Sequence, residues 1–260
     1  MQSDGPQDRH HPGERRPGPD TLFLAPGCTY NLTAADNPGN GLPVVTSDIT
    51  IVGSFLGTQN VIRRQSATAF RIFSVQGPNA RLTLNRLTVR DGRSDSSGGG
   101  GILNSGGALT LTSVEVTSNL ADASGPGGGV CSSGALTIRN STVSFNRSTN
   151  NGGGLFSFGT ATISNVTVTG NTAKDSGGGM DVRGSLTLTN SRVTENSSDD
   201  AGGILSNTLN IRNSSVTYNY ASEAPGGILN DGGTVTLTAT PVQENFPTNC
   251  TPSVIAGCTG

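Results

Sequence analysis

The sequence has no tryptophan and only two histidines, and charged side chains make up just 13% of its 260 residues. Both histidines, His10 and His11, lie near the start, so histidine cannot serve as a base or metal ligand in the rest of the chain. Aromatic residues contribute 4%, which excludes a thick core of large rings and favours a thin interior of modest aliphatic side chains. A net charge of -2 gives no electrostatic basis for binding nucleic acid.

Long apolar segments are missing as well. No run of eighteen apolar residues occurs, so no membrane span is predicted. Residues 1–19 are rich in proline, glycine and charge and lack the apolar region of a signal peptide, so we predict a disordered tail. Four cysteines are too few for a disulfide framework. Cys250 and Cys258 are the pair expected to be bonded, because the short spacer between them can close a small loop.

Glycine is abundant, with 38 residues, and it belongs to a repeat of about 25 residues. A Val-x-x-Asn unit occurs six times, and in four repeats another asparagine stands six residues before it. The first series is Asn119, Asn146, Asn171, Asn196, Asn219 and Asn245, and the second is Asn140, Asn165, Asn190 and Asn213. A glycine block, such as "GGGL" at Gly152, separates successive units.

Each repeat also alternates apolar and polar residues, as in Leu109 and Leu111 on either side of a threonine, which indicates half-buried strands. About three short strands fit each repeat, and no segment has helix formers at helical spacing. One repeat cannot bury its apolar face alone, but stacked repeats cover one another. The sequence therefore predicts an all-β fold, a right-handed parallel β-helix of about nine coils over residues 20–246, with a C-terminal cap at 247–260.

In this fold we expect both asparagine series to form structural ladders, with each side-chain amide bonded to the asparagines in the coils above and below. The glycine block suits a corner with positive φ or a close approach between coils. Cys28 and Cys131 would lie about four coils apart, too far for a disulfide. A leucine-rich repeat has a similar period, but its leucine-rich return is replaced here by glycine and polar residues.

The glycine block coupled to the apolar-x-x-Asn unit resembles the repeats of polymorphic outer membrane proteins and, more closely, bacterial secreted right-handed parallel β-helix proteins. The early segment "DTLFLAPGCTYNLT … LPVVTSDITIVG" is similar to the first coils of members that begin with a Cys-Ser-Leu-Arg-Glu-Ala motif. The resemblance covers residues 20–260 and implies an extracellular or cell-surface location, but it carries over no catalytic residues. That opening motif is absent, so either the printed start lies downstream of an export signal or the first coil is out of frame.

Outward side chains of neighbouring coils form rows on a solenoid. We expect Phe156, Phe158, Asp181 and Arg183 to form one outward patch, with rings that stack on sugars and an ion pair that binds hydroxyl groups; the alternative is an ordinary surface salt bridge. The predicted function is a non-catalytic module for adhesion or for carbohydrate or matrix binding. Its expected partner is an extracellular glycan or surface protein, and we expect a monomer without cofactor or metal.

Two other functions stay open. A polysaccharide lyase or glycoside hydrolase of the β-helix type needs paired carboxylates, or an acidic calcium site with a basic residue, and the outward rows offer only Asp181. A structural or ice-binding solenoid is suggested by a threonine series that only Asn210 interrupts, although threonine is generally favoured on exposed strands. This series is Thr83, Thr110, Thr137, Thr162, Thr187 and Thr236.

Overall fold

The computed structural model describes residues 19–55, 57–252 and 255–258, so the tail predicted at 1–19 lies almost entirely outside the described residues. The described residues form β-strands joined by turns and bends, without a helix. In chain order the strands are β1 (Asp20–Phe23), β2 (Thr29–Leu32), β3 (Asp48–Val52), β4 (Asn60–Arg64), β5 (Phe73–Gln76), β6 (Arg81–Asn85), β7 (Leu87–Arg90), β8 (Arg93–Ser94), β9 (Ile102–Ser105), β10 (Ala108–Thr112), β11 (Glu115–Thr117), β12 (Leu120–Ala121), β13 (Val130–Ser132), β14 (Ala135–Arg139), β15 (Thr142–Ser144), β16 (Arg147–Ser148), β17 (Leu155–Ser157), β18 (Thr160–Ser164), β19 (Thr167–Thr169), β20 (Thr172–Ala173), β21 (Met180–Thr189), β22 (Arg192–Thr194), β23 (Ser197–Ser198), β24 (Ile204–Arg212), β25 (Ser215–Thr217), β26 (Tyr220–Ala221), β27 (Ile228–Asn230), β28 (Val235–Thr238), β29 (Val242–Gln243) and β30 (Cys250–Thr251).

The strands build a parallel β-solenoid of about nine turns, which confirms the predicted all-β parallel coil. A large sheet contains fifteen strands, a second sheet nine and a third sheet six. Pairing joins residues one coil apart: Leu111 of β10 pairs with Leu84 on one side and with Ile138 on the other. Equivalent positions of successive repeats therefore lie directly over one another.

The core is a set of aliphatic columns inside the coil. Strands of the large sheet contribute Leu82, Leu109, Leu136, Ala161, Leu186 and Leu209, and the nine-stranded sheet contributes Val116, Val143, Val168, Val193, Val216 and Val242, all of them buried. Each large aliphatic side chain stabilises the fold by about 1.5 to 3 kcal/mol on burial. Because strands alternate, the threonines between these residues point away from the core.

The first asparagine series forms a buried column along the axis. Side-chain Nδ2–Oδ1 bonds join each member to the next, from Asn119 to Asn146, Asn171, Asn196, Asn219 and Asn245, at 2.9 to 3.0 Å. The backbone N–H of each lower member donates to the same Oδ1 at 3.0 to 3.1 Å. Nδ2 also reaches a carbonyl of the preceding coil, as from Asn171 to Val143 at 2.9 Å. Each amide therefore ties three consecutive coils together.

The second series, Asn140, Asn165, Asn190 and Asn213, lies on the surface instead. These residues have φ between 48° and 55°, a left-handed conformation that asparagine tolerates better than most residues. One side-chain bond joins neighbours in this row, from Nδ2 of Asn165 to Oδ1 of Asn140 at 3.2 Å. Among the described residues this one bond stands where a continuous ladder was predicted, because these asparagines are exposed corner residues that turn the chain out of the large sheet.

The C-terminal end of the solenoid is closed by the last described residues. The predicted disulfide between Cys250 and Cys258 is confirmed. β30 pairs with β27, and Ile255 packs on the core. Asn249 ends the asparagine column, because its Oδ1 accepts both the backbone and side-chain N–H groups of Asn245, at 3.1 and 3.0 Å. Cys28 and Cys131 are free thiols.

We predict that Asn171→Ala lowers the free energy of unfolding by about 3 kcal/mol, because buried backbone and amide groups in three coils lose their partners. Urea unfolding followed by circular dichroism measures the change. The matched control, Asn190→Gly, removes an exposed asparagine where φ is positive, and we expect it to change stability by less than about 0.5 kcal/mol. Equal effects of the two substitutions would contradict a structural role for the buried column.

Candidate functional site

The four residues predicted to form an outward patch lie on adjacent coils, but two of them are buried. Phe158 is 62% exposed, whereas Phe156 is 4% exposed and Asp181 is fully buried. Phe156 packs with Leu103 and Cys131 in a small apolar cluster separate from the main core. The expectation that this whole row faces solvent is therefore wrong.

The glycine block explains the burial of this row. Gly152 and Gly177 have φ near 64°, so the chain folds back over the strand that follows each of them. A Cβ at Gly152 would lie 2.8 Å from Cβ of Phe156, and one at Gly177 would lie 2.7 Å from Cβ of Asp181. The block therefore packs on the backbone of the following strand and on the first side-chain atoms of Phe156 and Asp181. Glycine is required because a Cβ would lie only 2.4 Å from the carbonyl oxygen of Leu155 at Gly152, and 2.6 Å from that of Met180 at Gly177.

Asp181 and Arg183 form a two-pronged ion pair at the edge of this covered row. Arg183 Nε lies 2.8 Å from Oδ1 of Asp181, and its terminal nitrogen donates to Oδ2 at 2.9 Å. Ser176 donates to Oδ2 at 3.3 Å. Burial raises the pKa of Asp181, and the bonds from Arg183 oppose that rise. Asp181 occupies one edge of the Arg183 guanidinium. The other edge faces the exposed Asp231, with Nη1 of Arg183 at 3.8 Å from Oδ2 of Asp231.

Another surface runs along the corner where each large-sheet strand ends and the chain turns into the nine-stranded sheet. The corner residues share positive φ values of 47° to 57°, and each follows a residue paired in the large sheet. They are Arg86, Ser113, Asn140, Asn165, Asn190, Asn213 and Ala239. At about 4.8 Å per coil, these seven positions span roughly 29 Å along the axis.

Three open cavities follow this corner, with volumes of about 660, 330 and 230 Å³. The largest is lined by Asn165, Asn190 and Asn213 on one side and by Thr167, Arg192 and Ser215 on the other. The two smaller cavities continue past Asn140 and Ser113 to Arg86. We call this surface, from Arg86 to Ala239, the asparagine groove.

The groove presents neutral hydrogen-bonding groups at regular intervals. Its floor is already satisfied: Ser191 Oγ donates to the carbonyl of Thr189 at 2.8 Å and accepts the N–H of Val166 at 3.1 Å. Within the described part of the chain, the side-chain amides of Asn190 and Asn213 have no hydrogen-bond partner. The amides that lack a partner can therefore bond to a ligand, whereas the groups beneath them are already hydrogen-bonded. Such amides are suited to a ligand that carries many hydroxyl groups.

An aromatic side chain stands at the N-terminal end of the groove. Phe55 is exposed, and the guanidinium of Arg86 lies over its ring at 4.4 Å from the centroid. Beside it, the side-chain amide of Gln59 donates to the carbonyl of Ser113 at 3.0 Å and so joins two residues that line this end of the groove. The groove therefore combines amides, hydroxyl groups and one aromatic face.

Exposed aromatic residues were missed by the sequence reasoning apart from Phe158. Of eleven phenylalanines and tyrosines, seven have exposed side chains: Phe23, Phe55, Phe145, Phe158, Tyr218, Tyr220 and Phe246. Tyr220 and Phe246 are stacked, with centroids 5.6 Å apart and planes 7° from parallel. Phe156 and Phe158 meet edge to face at 4.8 Å. A protein with few aromatic residues thus places most of them at the surface.

Residues 19–55, 57–252 and 255–258 contain no group of three or more His, Cys, Asp or Glu side chains arranged to hold a metal ion. No helix in the same residues is long and apolar enough to cross a membrane.

Comparisons with protein-family models, curated proteins and solved structures found no match to this chain.

We predict that Asp181→Asn becomes more stable relative to the wild type as pH rises. Folding raises the pKa of Asp181, so the folded state holds this proton more tightly than the unfolded state. The contribution of Asp181 is full below its ordinary pKa of 3.8 and is lost as pH rises through the folded value. Urea unfolding at pH 3.5 and pH 7 measures the difference between the two proteins.

The companion variant Arg183→Gln leaves the buried carboxylate without its cation, and we expect it to destabilise the protein by about 2 kcal/mol at pH 7. Its effect should shrink in acid, where Asp181 is protonated. A stability difference that is the same at both pH values, for either variant, would refute the assignment of a buried, costly charge at this position.

Proposed function

We propose that this chain is a non-catalytic extracellular or cell-surface module that binds an extended carbohydrate polymer along the asparagine groove and acts as a monomer. The observation that carries the proposal is the groove itself, in which equivalent polar residues of consecutive coils repeat at about 4.8 Å. The Cys250–Cys258 disulfide is compatible with an oxidising, extracellular location.

The groove matches a polysaccharide in length, spacing and charge. Its coil-to-coil step is comparable to the length of one pyranose unit, so successive sugars meet successive asparagines. Only Arg86, Glu115 and Arg192 among its lining residues carry charge. The groove is open along its length, which suits a long chain better than a small molecule. Amides at a regular spacing can bond to hydroxyl groups of each sugar in turn.

The enzymatic alternative draws little support from the described geometry. A glycosidase needs two carboxyl groups that flank the scissile bond. Asp181, the carboxylate on which that alternative depended, is fully buried and held by Arg183. It lies near the first end of β21, whereas the groove borders the other end. The groove therefore favours recognition over hydrolysis.

The ice-binding alternative has a regular threonine column but an irregular surrounding surface. Thr50, Thr83, Thr110, Thr137, Thr162 and Thr187 pair in register, followed by Asn210 and Thr236. Two positions before the threonine column, the same strands carry Asp48 and Arg81. Two positions after it, they carry Arg139 and Arg212. Such charged side chains interrupt the flat array that ordered water would require.

We predict that the triple variant Asn165→Gly, Asn190→Gly and Asn213→Gly binds the recognised polysaccharide at least about tenfold more weakly, since three amides worth about 1 kcal/mol each are removed. Glycine suits the positive φ at these positions, so the turn is preserved. A glycan array identifies the polymer, and isothermal titration calorimetry measures affinity.

A control variant with Thr110→Ser, Thr137→Ser and Thr162→Ser alters the large sheet instead, and it should bind as the wild type does. Unchanged affinity in the asparagine variant would remove the groove as the binding site. Failure of the wild type to bind any neutral, acidic or amino polysaccharide on the array would refute the proposed function.

A further inference from the structure

A second corner, between the nine-stranded and six-stranded sheets, carries a surface that the groove does not use. We call it the aromatic corner and define it by Phe145, Glu195, Tyr218, Tyr220, Glu244 and Phe246. All six side chains are exposed, and the four aromatic residues are between 49% and 66% exposed. The aromatic corner thus holds four of the seven exposed aromatic side chains of the protein.

Strand register places these residues in two neighbouring rows. Val143, Val168, Val193, Val216 and Val242 pair in sequence up the axis. Two positions after each valine, the first row therefore reads Phe145, Gly170, Glu195, Tyr218 and Glu244. The second row contains Arg147, Thr172, Ser197, Tyr220 and Phe246, which are joined by pairing from coil to coil, so the arginine lies three coils from Tyr220.

The first row places a carboxylate between two aromatic side chains. The ring of Phe145 lies over Gly170, where a Cβ would be 2.7 Å from Cε1 of the ring. Glu195 occupies the next coil and Tyr218 the one after. No described residue forms a salt bridge with Glu195. A carboxylate flanked by aromatic rings attracts a cation through both its charge and the ring faces.

Tyr218 lies in the coil between Glu195 and Glu244. The carboxylate of Glu244 raises the pKa of Tyr218, because it favours the protonated hydroxyl over a second negative charge. Tyr218 is therefore uncharged at neutral pH, as any tyrosine with an ordinary or raised pKa is. Its ring remains a neutral wall beside Glu195.

The second row adds a flat aromatic stack beside small hydroxyl side chains. Tyr220 and Phe246 stack on each other, and the coil before Tyr220 contributes Ser197. Thr172 and Ser197 lie one coil apart with their hydroxyl oxygens 3.3 Å apart. Tyr220 remains 49% exposed although Phe246 stacks on it, and its neighbours in the two preceding coils, Ser197 and Thr172, are small. An accessible ring face beside hydroxyl groups is suited to the C–H face of a sugar ring.

The charge of this part of the chain is strongly negative. Residues 195–246 contain six aspartates and glutamates and one arginine, whereas the whole chain contains eighteen acidic and sixteen basic residues. The arginine, Arg212, ends a strand of the large sheet and is not part of this corner. The part of the aromatic corner from Glu195 to Phe246 therefore lies in the acidic part of an otherwise nearly balanced protein, whereas Phe145 lies two residues from Arg147.

We propose that the aromatic corner binds protonated amino-sugar units, with the ammonium group at Glu195 and the sugar ring against Tyr220. This inference rests on the proposed carbohydrate-binding function and names a substrate class for it. A sugar that carries an amine satisfies both features of the site, because it presents an apolar ring face and a cation within one residue. A lysine or arginine side chain offers the cation without a pyranose face.

The test compares oligomers of β-1,4-linked glucosamine with the same oligomers fully N-acetylated, at pH 5.5, by isothermal titration calorimetry. We expect the wild type to bind the glucosamine oligomer at least tenfold more tightly. Glu195→Gln and Tyr220→Ala should each weaken that binding at least fivefold. Neither substitution should change the affinity for the acetylated oligomer. The control Asp95→Asn removes an exposed carboxylate elsewhere on the solenoid and should have no effect.

The outcomes separate this inference from the proposed function. Equal affinity for the two oligomers, together with groove-dependent binding of another polysaccharide, would overturn the inference and leave the function intact. Absence of all carbohydrate binding would overturn both. A lysine-rich peptide that binds as tightly as the glucosamine oligomer, and loses affinity in Glu195→Gln, would replace the amino sugar with a basic protein partner and thus also overturn the inference.

Discussion

The column of buried asparagines is the interaction on which the register of this solenoid depends. A coil of parallel strands must turn sharply at each corner, and the turn leaves backbone N–H and C=O groups that point into the interior. Leaving one such group unpaired costs about 1 to 3 kcal/mol. From Asn119 to Asn245, each side-chain amide bonds to the coils below and above it, so the same residue at the same turn satisfies these groups in every coil.

Fixed register converts repeated positions into continuous surfaces, and the two outer corners of the coil use it differently. At the asparagine groove the left-handed corner residue is constant over four consecutive coils, from Asn140 to Asn213, which produces a regular row of amides. At the aromatic corner the equivalent left-handed position varies from coil to coil, from Phe145 through Glu195 to Tyr218. The constant corner suits a repeating polymer along the axis, and the variable corner suits a local feature of that polymer.

The fold could be predicted from sequence because its determinants recur in every coil: alternating aliphatic residues, a glycine block and a buried asparagine. The asparagine row of the groove also recurs and is visible in the sequence, but its exposure at a corner is not. The covered row and the aromatic corner could not be predicted, since their determinants depend on a fold-back or are unique to single coils. The glycine turn that covers Phe156 and Asp181 looks the same in sequence as an open corner. Asn249 stands four residues after Asn245, outside the period, and the aromatic corner combines residues that each occur in only one coil.

The most direct test of this account is the distance between spin labels placed along the threonine column, measured by pulsed electron paramagnetic resonance in a Cys28→Ser background. Thr50 and Thr187 are five coil steps apart, and Thr50 and Thr236 are seven. At about 4.8 Å per step, labels at these pairs should be separated by roughly 24 and 34 Å, each with a narrow distribution. Broad distributions, or a distance that does not increase with the number of coils, would contradict the in-register solenoid.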